Sequence, residues 1–385
     1  MKRILYTEYS SGFGGSSGVL YDFLKNLNRN NYQPLVLVTR DGDNFDKIRE
    51  LEIEVIKAKA TVIGRSTYRG MGTMAAVCID LVVHLVPNIL KIQAVIRQRK
   101  IDLVHIINNI KNCIDIILAA YFMGVPCVCH VRETRSSGPL DRIFGRFVKY
   151  IIVLNNTSYI GLNKIVGSNK ISIIHDGIDL DVAINKENVL KIKDEFNLDH
   201  VYCVGFLGRL VESKGVDVLI QSAALVKNRY KNIKFLIIGN DPDQKYIYYY
   251  ELLKKMVDEL GLQKEVVFAG WQSNKFDFIG AIDVLVQPSS YPEGFGLTCV
   301  EAMAVGKPVI ATDVPGLNDI IDNGTTGCLI ASRNPQAMAQ AIINFIENPS
   351  LAQRIANTGR ESVNRRFNIQ GNVREIEKIY QKFLR

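Results

Sequence analysis

The chain has 385 residues, of which 47% are hydrophobic and 22% charged, with a formal net charge of +8. That is the profile of a soluble globular protein too long for one ordinary core, so two domains are expected. A membrane-spanning helix is excluded even for the greasiest segment, residues 74–90: Asp80, His84 and Pro87 interrupt it, and it falls short of roughly 20 apolar residues.

The chain opens on "MKRILYTEYS", whose apolar run is too short for a secretory signal. Through the first half, short apolar runs read as strands: "RILYT", "PLVLVT", "IEVIKA", "DLVHII", "VPCVCHV", "YIIVLN" and "KISIIH". Segments of helical periodicity, 16–30, 74–99, 113–122 and 155–166, lie between most of them. The second half repeats the pattern with "VYCVGFLG", "KFLIIGN", "EVVFAG", "DVLVQP", "PVIAT" and "GCLI", spaced by 215–230, 245–260, 297–305 and 335–347. Continuous apolar strands with helical crossovers indicate parallel sheets covered on both faces. The expected fold is therefore α/β, with two doubly wound, Rossmann-like domains facing across a cleft. Domain boundaries are expected at 1–178, a polar linker at 179–200, a second domain at 201–365, and a helical tail at 366–385 able to pack back on the first domain.

Seven cysteines, with no C-x-x-C pair and no zinc-spaced Cys/His cluster, read as reduced thiols of a cytoplasmic protein. The charge is lopsided. Residues 1–180 hold 23 Lys and Arg against 15 Asp and Glu, whereas residues 181–385 hold 24 of each. A basic first half suggests an anionic partner, and a chance bias of a solvated surface explains it equally well.

Ligands of open parallel sheets bind beyond the carboxyl ends of the strands, so the residues leaving each strand are the ones to inspect. After "RILYT" comes Glu8 and a glycine-rich loop. After "VPCVC" come His130, Arg132 and Glu133. After "VGFLG" come Arg209 and, five residues on, Lys214. After "VLVQP" comes "YPEGFGLTCVEAM". Arg209 and Lys214 beside a helix start at Gly215 would suit a diphosphate, with solvated surface charges the plain alternative. Gly294 and Gly296 allow close backbone approach and a sharp turn into a helix whose leading N–H groups, 295–298, form a second anion cradle. Carboxylates accept hydrogen bonds but do not donate them, so Glu293 and Glu301 should face hydroxyls, such as a vicinal diol of a sugar. The plain alternatives are a helix-start acid and an exposed loop acid. A metal site is a third reading, and no nearby His or Asp completes it.

"GRLVESKGVDVLI", "EGFGLTCVEAMAVGKPVIATDVPG" and "IIHDGIDLD" together resemble the retaining nucleotide-sugar glycosyltransferases of family four, which have the GT-B fold. The resemblance implies that Arg209 and Lys214 hold the donor diphosphate, Glu301 the ribose, and Glu293 the transferred sugar. Backbone amides of Gly294, Phe295, Gly296, Leu297 and Thr298 would contact sugar and phosphate. Gly239 and Asn240 would line the donor, and Ala269, Gly270 and Trp271 would lie against the base. His130 would sit beside the donor sugar, its plain alternative being a buried histidine satisfied at the strand end. Gly14 and Gly15 would form a loop closing over the phosphates. It further implies front-face transfer without metal or cofactor, with a hexose passing from a UDP-sugar, or secondly GDP-mannose, to a glycan or lipid-linked acceptor in polysaccharide or cell-envelope assembly.

Three features depart from the family pattern, namely "SGFGGSSG", "HDGID" and "FNIQGNV", and all three bear on the acceptor side. Arg65, Arg69, Arg132, Arg135, Arg142, Arg146 and Lys149 are expected to form a basic face toward an anionic acceptor or membrane surface. The rival readings are a sugar-nucleotide epimerase of the same fold, an inactive binding protein and an NAD(P)-dependent oxidoreductase. Against the oxidoreductase, "GFGGSS" fails the last position of G-x-G-x-x-G. No G-x-x-x-x-G-K-[ST] occurs, and no nucleic-acid-binding module is recognisable.

Overall fold

The computed structural model describes residues 1–9, 15–39, 42–58, 80–134, 138–181, 184–240 and 246–384. Two compact units result, Met1–Gly177 with Ile369–Arg385, and Ile178–Asn368. In the first, strands β1 (Lys2–Glu8), β2 (Tyr32–Val38), β3 (Glu54–Lys57), β4 (Leu103–Ile106), β5 (Cys127–Val131), β6 (Tyr150–Val153) and β7 (Ile171–Ile173) form one sheet. Its helices are α1 (Gly15–Asn26), α2 (Asp43–Glu50), α3 (Val86–Gln98), α4 (Ile114–Phe122), α5 (Pro139–Phe144) and α6 (Asn156–Val166). All pairings are parallel, in the order β3-β2-β1-β4-β5-β6-β7. The central strands β4 and β5 are buried at every residue, whereas edge strand β3 is exposed or half-buried throughout. Unbroken apolar runs therefore mark the middle of this sheet, where helices cover both faces.

The second unit carries α7 (Lys186–Glu195), β8 (Tyr202–Leu207), α8 (Val216–Arg229), β9 (Ile233–Ile238), α9 (Ile247–Glu259), β10 (Val266–Gly270), α10 (Lys275–Ala281) and β11 (Val284–Gln287). There follow α11 (Leu297–Ala304), β12 (Val309–Thr312), β13 (Cys328–Ile330), α12 (Pro335–Glu347) and α13 (Pro349–Arg366). Its parallel sheet runs β10-β9-β8-β11-β12-β13. Strand order reverses between β1 and β4 in one sheet and between β8 and β11 in the other, and such switch points are where doubly wound sheets take ligands.

The final helix, α14 (Ile369–Phe383), belongs to the first unit. Ile369, Val373, Ile376, Ile379 and Tyr380 are buried among Ile4, Tyr6, Phe23 and Leu24, one apolar stripe at helical spacing. Within the tail expected at 366–385 lies the single helix α14, which begins at Ile369 after α13 ends at Arg366. The polar stretch 179–200 is not a bare connector either. It holds α7, capped by Asn185, whose side chain accepts from the N–H groups of Glu187 and Asn188. Asp277 of α10 accepts from Asn185 N at 2.8 Å and Asn188 Nδ2 at 2.9 Å, so polar contacts dock this helix. Ile192 is its one buried residue, which is why hydrophobic patterning passes over it. The described cysteines, Cys113, Cys127, Cys129, Cys203, Cys299 and Cys328, are free. No helix among the described residues is long and apolar enough to cross a membrane.

Candidate functional site

In the second unit the two strands flanking the switch point deliver most of the polar residues. The segment after β8 carries Arg209, exposed and with no side-chain hydrogen bond or ion pair among the described residues. A 3-10 turn, Glu212–Lys214, then leads through Gly215 into α8. Gly215 has φ +67°, and a Cβ there would stand 2.1 Å from the Pro288 carbonyl oxygen. Glycine is therefore required for the segments after β8 and β11 to touch, and Ser290 N seals the contact on Ser213 O at 2.9 Å.

Across that contact, Lys214 Nζ donates to both oxygens of Glu293, at 2.7 and 2.8 Å. The side chains of this pair are 21% and 14% exposed. The Ser289 hydroxyl also donates to Glu293 Oε1, while Gln287 Nε2 donates to Ser289 Oγ at 3.0 Å. Thr312 Oγ1 holds Ser289 O at 2.7 Å, and Glu293 N donates to Pro315 O at 2.9 Å. Glu293 is thus fixed from several sides, and Lys214 balances its charge.

Gly296, at φ +91°, caps α11 in the left-handed region, and a Cβ there would stand 2.5 Å from Leu317 Cδ2. Cys299 N and Val300 N bond back to Gly296 O, leaving the amides of Leu297 and Thr298 at the head of the helix. Phe295 buries its ring edge-on to Phe367, centroids 5.3 Å apart, so its side chain packs and only its backbone can meet a ligand. Glu301, one turn into α11, is 3% exposed and ion-paired to Lys275 of α10. Gly239 N donates to Gly270 O at 2.7 Å and Leu210 N to Asn240 O at 3.3 Å, so the exits of β8, β9 and β10 are laced together. Ala269 O accepts from Gln272, and Trp271 stands half-exposed beside it.

In the first unit His130 is the penultimate residue of β5, inside the strand and not beyond it, at 1% exposure, stacked on His105 of β4 with centroids 5.9 Å apart and planes 9° from parallel. Nδ1 of His105 pairs with the Tyr380 hydroxyl of α14, which reaches the Tyr6 hydroxyl at 3.2 Å. Burial, with Arg132 nearby, pushes His105 down to about 3 and His130 well below the usual imidazole range, so both rings are neutral at pH 7. His130 Nε2 has no hydrogen-bond partner among the described residues.

Arg132 does not join a basic face. Its side chain is 12% exposed and donates to Asp176 at 3.0 Å, because a buried carboxylate of the "HDGID" segment needs a charge partner. Arg142, Arg146 and Lys149 are exposed. Gly15 opens α1, whereas Gly14, Arg65, Arg69, Arg135 and Cys78 lie outside the described residues.

The structure thus brings Arg209, Lys214, Glu293, Glu301 and Gly296 to one edge of the second sheet, with Gly239, Asn240, Ala269, Gly270 and Trp271 on the neighbouring exits. His130 and Gly15 are in the other unit. The sequence reading passed over Ser289, Gln287 and Lys275. Gln287, a polar residue closing an otherwise apolar strand, is a usable signal. Lys275, twenty-six residues from its partner, leaves none. Among the described residues no group of three or more His, Cys, Asp or Glu could hold a metal ion.

Residues 190–362 match the family described as Glycosyl transferases group 1. Over 227 residues the chain is 30% identical to the capsular polysaccharide biosynthesis glycosyltransferase CapM of Staphylococcus aureus, covering 58% of each chain. It is 33% identical to the lipopolysaccharide core biosynthesis mannosyltransferase LpsB of Rhizobium meliloti, over 47% of this chain and 52% of that one. The chain spans about half the length of the curated relatives it matches. Among solved structures, Anabaena HepE in complex with UDP and glucose superposes with a TM-score of 0.84 at 21% identity, covering 99% of this chain and all of that one. A Rickettsia africae glycosyltransferase superposes with a TM-score of 0.85 at 20% identity, covering 100% and 99%. The two-domain α/β fold, GT-B, is shared with these two solved structures.

Proposed function

We propose, from the match of residues 190–362 to the family described as Glycosyl transferases group 1, that the protein is a hexosyltransferase. It moves the hexose of a nucleoside-diphosphate sugar to a hydroxyl of a glycan or lipid-linked acceptor in polysaccharide or cell-envelope assembly, with retention at the anomeric carbon. The observation that carries this reading is the switch-point edge of the second sheet. There Arg209, Lys214 and the glycine-led helix α11 stand beside two carboxylates that face the needs of a sugar nucleotide.

As the bond between anomeric carbon and phosphate breaks, negative charge grows on the diphosphate. Arg209, Lys214 and the leading amides of α11 stabilise it, a term typically of a few kcal/mol per donor, and the scheme calls on no metal. Lys214 is held by Glu293 until the diphosphate, with its larger charge, draws it away and leaves Glu293 to accept from sugar hydroxyls. With Glu293 so used there is no spare nucleophile, and transfer proceeds on the front face, the leaving phosphate taking the acceptor proton.

The second unit, Ile178–Asn368, takes the donor, and the first takes the acceptor. A UDP-sugar is the first donor choice, supported by the UDP and UDP-glucose complexes of HepE. GDP-mannose is second, after the mannosyltransferase LpsB. Exposed Arg142, Arg146 and Lys149 are assigned to a face meeting an anionic acceptor or bilayer surface.

Calorimetric titration with UDP, GDP, ADP and NADP, on the wild type and on Arg209→Ala/Lys214→Ala, tests the reading. One diphosphate nucleotide should bind, and the double variant should lose it. Binding of NADP alone, indifferent to the variant, would replace the transferase by a dinucleotide enzyme.

A further inference from the structure

Glu301 is sealed more tightly than any other carboxylate of the site, its side chain 4% exposed. A carboxylate in that position stays ionised only with a charge partner. The partner is Lys275, whose Nζ donates to Oε1, while Oε2 accepts no hydrogen bond among the described residues. One oxygen is committed to the protein, and the other is left for something that donates.

Lys275 is well placed for that work. It is the first residue of α10, and the helix is pinned from below: Asp277 N donates to Asn274 O at 3.0 Å, and the Asp277 carboxylate ties α10 to α7. Its ammonium lies 5.0 Å from the centre of the Phe276 ring, and its side chain is 39% exposed, so it reaches Glu301 from the solvent side. Of the neighbouring groups on this edge, Lys214 is bonded to Glu293, Arg209 makes no ion pair among the described residues, and burial pushes the Cys299 thiol well up. Lys275 is the cation that holds Glu301.

We propose that Lys275 is a positioning residue for nucleoside recognition. It fixes Glu301 through Oε1 so that Oε2 is presented to the ribose hydroxyls, and it remains on Oε1 when the nucleotide is bound. The proposal rests on the donor-site reading above.

The test compares three ligands that differ in how much ribose they carry: UDP, 2′-deoxy-UDP and inorganic pyrophosphate, titrated into wild type, Lys275→Met and Lys275→Arg. Loss of a charge-assisted partner should weaken UDP about tenfold in Lys275→Met. Pyrophosphate affinity should be unchanged, which also certifies that the variant is folded. The ratio of UDP to 2′-deoxy-UDP affinity should shrink toward one, and Lys275→Arg should restore both. Unchanged or tighter UDP binding in Lys275→Met would overturn the proposal, the latter by making the lysine a competitor of the ribose. Equal losses for UDP and pyrophosphate would also overturn it, as a general field effect. A wild type that binds none of UDP, GDP and ADP removes the donor site itself, and this assignment with it. Wild-type nucleotide binding with an indifferent Lys275→Met removes only the positioning role.

Discussion

The two sheets finish their carboxyl edges in opposite ways. The edge of the second carries two lysine–glutamate pairs, Lys214–Glu293 and Lys275–Glu301, each acid largely withdrawn from water and each matched by a cation. The edge of the first carries two stacked imidazoles, His105 and His130, withdrawn just as far and kept neutral. Both solve the same problem, since an isolated buried charge costs several kcal/mol. A group that must accept hydrogen bonds as an anion is given a partner. The two imidazoles are instead held neutral by burial.

The comparison is broken most sharply inside the second unit, by separating its two acids. Glu301→Ala removes charge-assisted acceptors of the ribose, each contributing about 1.5–3 kcal/mol, and should raise the Kd for UDP by at least tenfold in calorimetry. Glu293→Ala removes the proposed acceptor of the transferred sugar and frees Lys214 for the diphosphate, so UDP affinity should not fall while transfer does. Equal effects on free-nucleotide affinity would mean that the acids do not divide the work this way.

The first unit responds to pH instead. His105 has its folded pKa pushed to about 3, below the ordinary 6.5 of the unfolded chain. As pH falls below 6.5 the unfolded state takes up a proton that the folded state refuses, so this contribution to stability is complete above 6.5 and is lost toward 3. The slope is about 1.4 kcal/mol per pH unit. Chemical denaturation at pH 7 and pH 5 should therefore show His105→Gln losing about 2 kcal/mol less than wild type over that interval. Identical losses would remove His105 as a buried neutral base.

The smallest effect concerns charge. All of the net +8 lies in residues 1–180. If exposed Arg146 meets an anionic surface, Arg146→Ala should weaken sedimentation with phosphatidylserine vesicles at low salt by about 1 kcal/mol. No wild-type preference for anionic over neutral vesicles would end the membrane assignment.

The fold class was legible in the sequence because parallel strands buried on both faces leave an unmistakable trace: "LVLV", "LVHI", "CVCHV" and "VLVQ" are apolar at nearly every position. Legible too were the residues beyond those strands, Arg209, Lys214, Glu293 and the Gly294–Gly296 turn, because glycine spacing and charge at a strand exit are local properties. Helix α7 was not, because polar bonds from Asp277 dock it and it buries only Ile192.

Tertiary structure alone decided the pairings. Lys214 meets Glu293 because β8 and β11 are neighbours in the sheet, and Gly215 lets their exits touch. Lys275 meets Glu301 across 26 positions of chain, and Tyr380 meets His105 across 275. Composition and periodicity report what each segment buries. Which charge answers which is set by strand order and helix docking, and those arise only when distant segments pack.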